Sequence, residues 1–406
     1  MARRPAAPKR LNTANLVGLG ADRLGELLMQ AADADALLKR RLRLVLAAEA
    51  GPDLLAAELD KRLTAVAASK ARVSWRKRPD LLRDLDILRQ SIVENLGPAA
   101  PGQALDRMIA WLDLFRGLTT RVKDPRGEVA GAFESAAPDL WRLAHAAVEA
   151  DATAADRLAT AIESQPLDYA RWIGAADDAL TQDLARALLD RLDPAVSLAI
   201  GPRGTRTAIR RLADRAEDLD LWLSLATSEE RGSPDFAAAA ATRLLAADRV
   251  HEAREALETA LEPSPANRRW TFGRSANGGP PRLTPAWEAA AIDVTEAEGR
   301  KDEAQTLRWA MFERDLSAPV LRTYLARLPD FDDVEALDRA LAHAAAHPDF
   351  EKALGFLMDW PAHREAAALV ERRVREVRTP LPLKSDWAAR LAQKYPEAAD
   401  RLLAAP

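Results

Sequence analysis

From Thr13 onward helical patterning scarcely stops, and the residues that strands prefer are in short supply. The chain holds 16 Val and 8 Ile among 406 residues. Its bulk is Ala, Leu, Arg, Asp and Glu, which are mostly good helix formers. These counts argue against a sandwich, a barrel or a large parallel sheet. A composition 48% hydrophobic and 30% charged is enough to bury a core. At this length that implies two domains or one elongated array.

Punctuation divides the helical pattern. Asp35 is placed to cap a helix in which Leu38, Leu42, Val45 and Leu46 line one face. Gly51-Pro52 ends it and opens the next, which runs to about Ala71. Leu82, Leu85, Leu88 and Ile92 form a further stripe. Gly97–Gly102 is a break, and helices are predicted at about 103–122, 126–150, 154–164 and 182–192. Another break at 201–206 separates an N-terminal helical module, 11–200, from a second module, 201–406. Residues 1–10, rich in Arg, Pro and Ala, are expected to be a disordered basic tail.

The second module has its own texture. Helices predicted from Ser233-Pro234 to Leu245 and from about His251 to Leu261 resemble a tetratricopeptide-type hairpin. Ala241, Leu244, Ala253, Leu257, Ala260 and Pro265 fall where that repeat places small or apolar residues and a closing Pro. The segment around Ala253 is echoed around Ala304 and Ala353, 51 and 49 residues on. That spacing implies hairpins separated by extra elements. A long loop, 263–285, interrupts the module.

Charge is unevenly spread. Residues 1–126 carry 23 Lys/Arg and 15 Asp/Glu, a net of +8; the remaining 280 carry 35 and 47, a net of −12. The two sums give the overall −4. Such asymmetry marks either an anionic partner for the basic part or two halves that attract each other.

Several chemistries are excluded. With no Cys there is no disulfide, thiolate zinc site, iron–sulfur cluster or cysteine nucleophile. No P-loop, dinucleotide fingerprint or G-x-S-x-G motif is present, so no cofactor is expected. No apolar run reaches the length of a transmembrane helix, and no membrane partner is expected. Met1–Leu11 has the charge of a signal-peptide start, but Asn12, Thr13 and Asn15 interrupt any apolar segment after it. The expected location is cytoplasmic.

Particular phrases point to a family. They are Leu11-Asn12 with Asn15-Leu16 and Leu19-Gly20, Trp75-Arg76-Lys77, and Asp124–Glu128 followed by Phe133. Gly299-Arg300, Glu303-Ala304-Gln305, Arg308-Trp309, Tyr324–Glu335 and Phe356–Ala362 join them. Over nearly its whole length the chain resembles an uncharacterised family of bacterial helical proteins. The block Ala213–Glu258 also resembles the helical region that follows SWIM zinc-binding motifs. Lacking Cys, this chain cannot carry the zinc motif itself. The resemblance implies a helical fold and no established activity.

Four groups of residues are candidate sites. Lys70, Arg72, Arg76, Lys77 and Arg78 surround Trp75. Clustered cations with an aromatic can hold phosphates and stack a base, or they can be a solvated helix end with Trp75 in the core. Lys39, Arg40, Arg41 and Arg43, one helix earlier, are placed to extend that patch. His343 and His347 have the i, i+4 spacing of a metal pair but no acid in the HExxH position, so no metal site is expected. Asp330, Asp332, Asp333 and Glu335 sit where a helix begins, which suffices to explain acids there. Phe331 among them is expected to pack as an anchor. In the long loop, Arg268, Arg269 and Trp270, with Phe272, Arg274 and Arg282, form a positive island in the acidic half. Trp111, Trp141, Trp222 and Trp309 are read as interhelix packing residues with their N–H groups near the surface.

The expected fold is therefore all-α, an α-solenoid of antiparallel helical hairpins, tetratricopeptide-like in its second half. The absence of a complete catalytic constellation favours a non-enzymatic interaction or scaffold protein that binds a protein or peptide on its helical-repeat surface. The alternative is a nucleic-acid-associated protein using the basic N-terminal patch.

Overall fold

The structure is a computed structural model that describes residues 11–194, 204–261, 283–378 and 380–405. Among the described residues there are helices and no strand; the one extended pairing is a single parallel bridge, Val73 to Val122. The helices pack as two units, one up to Leu225 and one from Ala226. Residue 201, where the sequence breaks, precedes that division.

In the first unit the helices are α1 (Thr13–Val17), α2 (Ala21–Ala34), α3 (Ala36–Ala50), α4 (Pro52–Ala68) and α5 (Arg78–Gln90). A π-turn, Ser91–Leu96, extends α5. Then come α6 (Pro101–Arg121), α7 (Glu128–Glu134), α8 (Ala137–Ala150), α9 (Ala154–Ser164), α10 (Pro166–Gly174) and α11 (Gln182–Leu192). Short helices α12 (Thr205–Arg215) and α13 (Leu219–Ser224) close the unit.

The local signals act as expected at most boundaries. Asp35 Oδ1 accepts from the backbone N–H groups of Leu37 and Leu38, capping α3. Gly51 takes φ +128°, which only Gly adopts freely, and Pro52 then starts α4. The predicted helix 126–150 is instead two, because Pro138 fits only in the first turn of a helix and α8 begins just before it. Helix α10 was not anticipated, although Pro166 at its first position is the usual starting signal.

The predicted inward stripe of α3 is corrected. Leu44 is buried, while Val45 and Leu46 are exposed. The reason is electrostatic. Arg40, one turn before Leu44, reaches across to the buried carboxylate of Asp84, its Nε 2.9 Å from Oδ1. Arg62 of α4 holds the other oxygen, 3.0 Å from its Nε. A buried carboxylate needs such partners, and these fix which face of α3 turns inward.

The core of the first unit is aromatic. Trp111 and Phe133 lie 4.4 Å apart between ring centroids, and Phe115 packs edge-on against Trp172 at 5.2 Å. Trp111 and Trp141 are fully buried. Their indole N–H groups donate to the carbonyls of Leu85 and Trp172, at 3.0 and 2.9 Å. For Trp111 and Trp141 the expectation that these groups sit near the surface is therefore wrong: the acceptors are buried carbonyls, that of Leu85 within α5 and that of Trp172 in the last turn of α10, whereas the Trp309 N–H bonds the exposed Glu313.

The second unit comprises α14 (Ser228–Arg231), α15 (Pro234–Ala246), α16 (Val250–Thr259), α17 (Pro285–Ala297), α18 (Lys301–Asp315) and α19 (Ala318–Leu325). It continues with α20 (Asp332–Ala346), α21 (Phe350–Asp359), α22 (His363–Arg373), α23 (Leu381–Ala392) and α24 (Pro396–Ala404). The most extensive packing among the described helices here is on the next or next-but-one helix, and Phe312 of α18 also reaches Phe356 of α21, 5.4 Å between ring centroids. Helix α15 lies against α16 with Ala241, Leu244, Ala253, Leu257 and Ala260 all buried. Ala304 and Ala353, the echoes of Ala253, are equally buried in α18 and α21. Small side chains there let neighbouring helices approach closely.

Candidate functional site

The connector between α4 and α5, residues 69–77, is the most distinctive surface in the described part of the molecule. It is irregular, yet it is fixed. Arg121, the last residue of α6, donates from Nη2 to the Val66 carbonyl at 2.8 Å. Its Nη1 donates to Ser69 Oγ at 3.1 Å and to the Ala71 carbonyl at 3.3 Å. One guanidinium thus satisfies the frayed end of α4 and holds the start of the loop. Two residues on, the Val73 N–H donates to the Arg121 carbonyl at 3.0 Å, forming the bridge to Val122.

Held in this way, the loop presents Lys70, Arg72, Arg76 and Lys77 to solvent. None of these four makes an ion pair with a described residue. Trp75 stands among them with 65% of its surface exposed, so the reading that buries it in the core is ruled out. The Arg76 guanidinium lies over the indole, 5.2 Å from the ring centroid.

Arg78 does something else. Its Nε is 2.8 Å from Glu128 Oε2, and its Nη1 is 3.8 Å from Asp124 Oδ1. Nη1 also donates to the Lys123 carbonyl at 3.0 Å. Asp124 meanwhile accepts from the backbone N–H groups of Glu128 and Val129, capping α7. Arg78 is therefore a half-buried structural cation. It pairs with two acids, Asp124 and Glu128, and ties the segment 122–127 alongside the loop.

The neighbouring basic helix does not extend the patch as a whole. Arg40 is bound to Asp84, and Lys39 pairs with Asp33 at 2.9 Å. Arg41 and Arg43 remain exposed. The cations that sequence reasoning missed are Lys123 and Arg126, both exposed and without an ion pair among the described residues. Their signal in the sequence is only a turn-like Asp124-Pro125-Arg126-Gly127, 49 positions from the residue it accompanies.

The other candidates resolve differently. His343 Nε2 is 3.0 Å from the Glu313 carbonyl, and His347 Nδ1 accepts from the Asp349 N–H at 3.1 Å. Each ring is engaged by backbone rather than by its fellow. Asp332, Asp333 and Glu335 occupy the first turn of α20 as expected. Phe331, however, is 85% exposed, so it anchors nothing in the fold. It precedes α20 at φ +77°, in the left-handed region. Arg268, Arg269 and Trp270, with the rest of the long loop, lie outside the described residues.

Elsewhere, charge is consumed in packing. Arg308 of α18, almost fully buried, holds Asp293 at 2.9 Å and Glu296 more closely, both on α17. A cavity of about 160 Å³ opens beside it, floored by Ile292, Met311 and Val320. Of its polar lining, Asp293 is paired with Arg308, and Thr323 donates from Oγ1 to the Pro319 carbonyl at 3.0 Å. Arg254, and then Arg300, hold the Glu298 carboxyl down at about 2, against the upward push of partial burial. Among the described residues no helix is long and apolar enough to cross a membrane, and no group of three or more His, Asp or Glu is placed to hold a metal ion.

Comparison with curated proteins returns no match. The profile of one family, described as a family of unknown function (DUF6880), matches residues 6–205 and 199–405, together nearly the whole chain. On that match the chain belongs to this family of unknown function.

Proposed function

We propose that the protein is a non-enzymatic interaction protein: a scaffold of helical hairpins that presents a binding surface to a protein or peptide partner. The observation that carries this reading is the contrast in how charge is used. Arg40, Arg62, Arg254 and Arg308 are all satisfied by acids within the fold. Lys70, Arg72, Arg76 and Lys77 are not, and they frame an exposed Trp. Exposed aromatics with flanking cations are the composition of a contact surface.

The scaffold side rests on the second unit. Its chain-neighbour packing and the recurrent buried alanines 253, 304 and 353 fit a solenoid of antiparallel hairpins, tetratricopeptide-like in texture. Repeat surfaces of this kind recognise partners rather than transform them.

Affinity capture from native lysate tests the reading. The full chain should retain a stoichiometric partner, and the quadruple charge reversal Lys70→Glu, Arg72→Glu, Arg76→Glu, Lys77→Glu should lose it while keeping its helical circular dichroism. Repeated recovery of no partner, with turnover of a small molecule by the purified chain, would sink it. A second reading, nucleic-acid association, is favoured by the same unpaired cations standing beside an exposed indole.

A further inference from the structure

The loop 69–77 is one half of a larger surface. The parallel bridge sets Val73 beside Val122, and Arg78, at the far end of the loop, donates to the Lys123 carbonyl, so the two segments adjoin. Arg72 and Lys123, next to the bridged residues in the chain, are both exposed. Arg126 follows at the turn before α7. Trp75, Arg76 and Lys77 complete the surface from the first loop.

We propose that these two loops together form a binding site for single-stranded nucleic acid. The proposal rests on the second reading above, nucleic-acid association, and names its ligand. Exposed cations on two adjoining segments suit an extended polyanion, with phosphates as their partners. Trp75 supplies the second recognition element. The face of an indole carries negative potential, so a carboxylate gains nothing by docking on it, whereas a neutral planar base stacks there. This favours an oligonucleotide over an acidic peptide. A duplex keeps its base faces stacked inside and leaves the ring without a partner, which favours the single strand. Arg78 acts as a positioning residue: it ties the two segments together through the Lys123 carbonyl and offsets part of the negative charge of Asp124 and Glu128.

Fluorescence anisotropy of a labelled oligothymidylate with the full chain tests the site, against the matching duplex and a poly-glutamate peptide. The single strand should bind most tightly, with log K falling against log salt at a slope of about −3 to −4 if about five phosphates are contacted. Trp75→Ala should weaken binding by about 5- to 150-fold, the range of one stacked base, and Trp75→Phe should restore most of the loss. The pair Lys123→Glu and Arg126→Glu should flatten the salt slope, which a site confined to the first loop would not do. Circular dichroism and urea unfolding of each variant establish that it is folded. Equal binding of poly-glutamate that ignores Trp75→Ala would overturn the proposal and reassign the loops to an acidic peptide. Absence of oligonucleotide binding, with a lysate partner still lost on charge reversal, would overturn it while leaving the interaction-protein reading intact.

Discussion

Two connectors in this protein expose an aromatic ring among charges of one sign just before a helix, and they are built in opposite ways. The loop 69–77 is basic, carries Trp75, and is held by hydrogen bonds from a residue some fifty positions away, Arg121. The turn before α20 is acidic and carries Phe331. It is shaped by its own backbone, with Phe331 at φ +77° and no side-chain cap. Asp332, Asp333 and Glu335 there are stabilised by the positive end of α20, a local effect that needs no partner elsewhere. Of the cations of the first loop only Lys70 lies close to a favourable helix end, the C-terminus of α4; Arg76 and Lys77 precede α5, whose positive end does not favour them. A tertiary clasp holds them in place, and this is the arrangement expected where geometry serves binding rather than chain reversal.

The largest effect that separates the two connectors is removal of the clasp. Arg121→Ala takes away three hydrogen bonds and leaves carbonyls at the end of α4 without a partner. We expect a loss of about 2–3 kcal/mol, the range for hydrogen bonds to a charged donor with a half-buried acceptor. Urea unfolding followed by circular dichroism measures it. Trypsin should then cut faster after Arg72, Arg76 and Lys77. An unchanged midpoint and cleavage rate would show that the loop is not held by Arg121.

The acidic turn predicts a change of opposite sign. A bulky L-residue at φ +77° is strained by about 1–2 kcal/mol, partly offset in Gly by its greater freedom when unfolded. Phe331→Gly should therefore stabilise the chain by about 0.5–1 kcal/mol. Since the ring is exposed, little packing is lost with it. Destabilisation on this substitution would mean that the ring is covered in solution, and the contrast with Trp75 would collapse.

How far these connectors were legible in the sequence differs for the same physical reason. Helices, caps and breaks follow from short-range rules, so Asp35, Gly51-Pro52 and the first-turn acids of α20 could be read directly. The cluster of cations around Trp75 was legible as composition. Its division into Arg78, bound to Asp124 and Glu128, and four unpaired neighbours was not, since the deciding acids lie on a segment about 46–50 positions away. The Val73–Val122 bridge carries no local pattern, and with it Lys123 and Arg126 escaped notice. The exposure of Val45 and Leu46 likewise depended on Asp84, 44 positions from the Arg40 it binds. Local periodicity alone cannot weigh a salt bridge that rotates a helix.

Acid gives a smaller test of paired against unpaired charge. The Glu298 carboxyl, held by Arg254 and Arg300, is depressed to about 2. A depressed carboxylate contributes its stability fully above the ordinary Glu value and loses it as pH falls through the folded value. The second unit should therefore lose part of its stability between about pH 4.3 and pH 2. Glu298→Gln should reduce the pH dependence in that window, measured by thermal unfolding at stepped pH. A wild type and variant with parallel profiles would show that the pair contributes nothing.

The smallest expected effect is on stability at Trp75 itself. The ring is two-thirds exposed and its one aromatic contact is with the mobile end of Arg76 on the same loop. Trp75→Ala should change unfolding free energy by less than about 0.5 kcal/mol, as surface substitutions do. So exposed a ring buries little surface within the fold. Chemical unfolding of wild type and variant decides the point. A loss well above this range would place Trp75 in the core of the first unit, and the binding loss proposed for the same substitution would then be a consequence of unfolding. A null result in stability beside a clear loss in oligonucleotide binding separates recognition from folding at a single side chain.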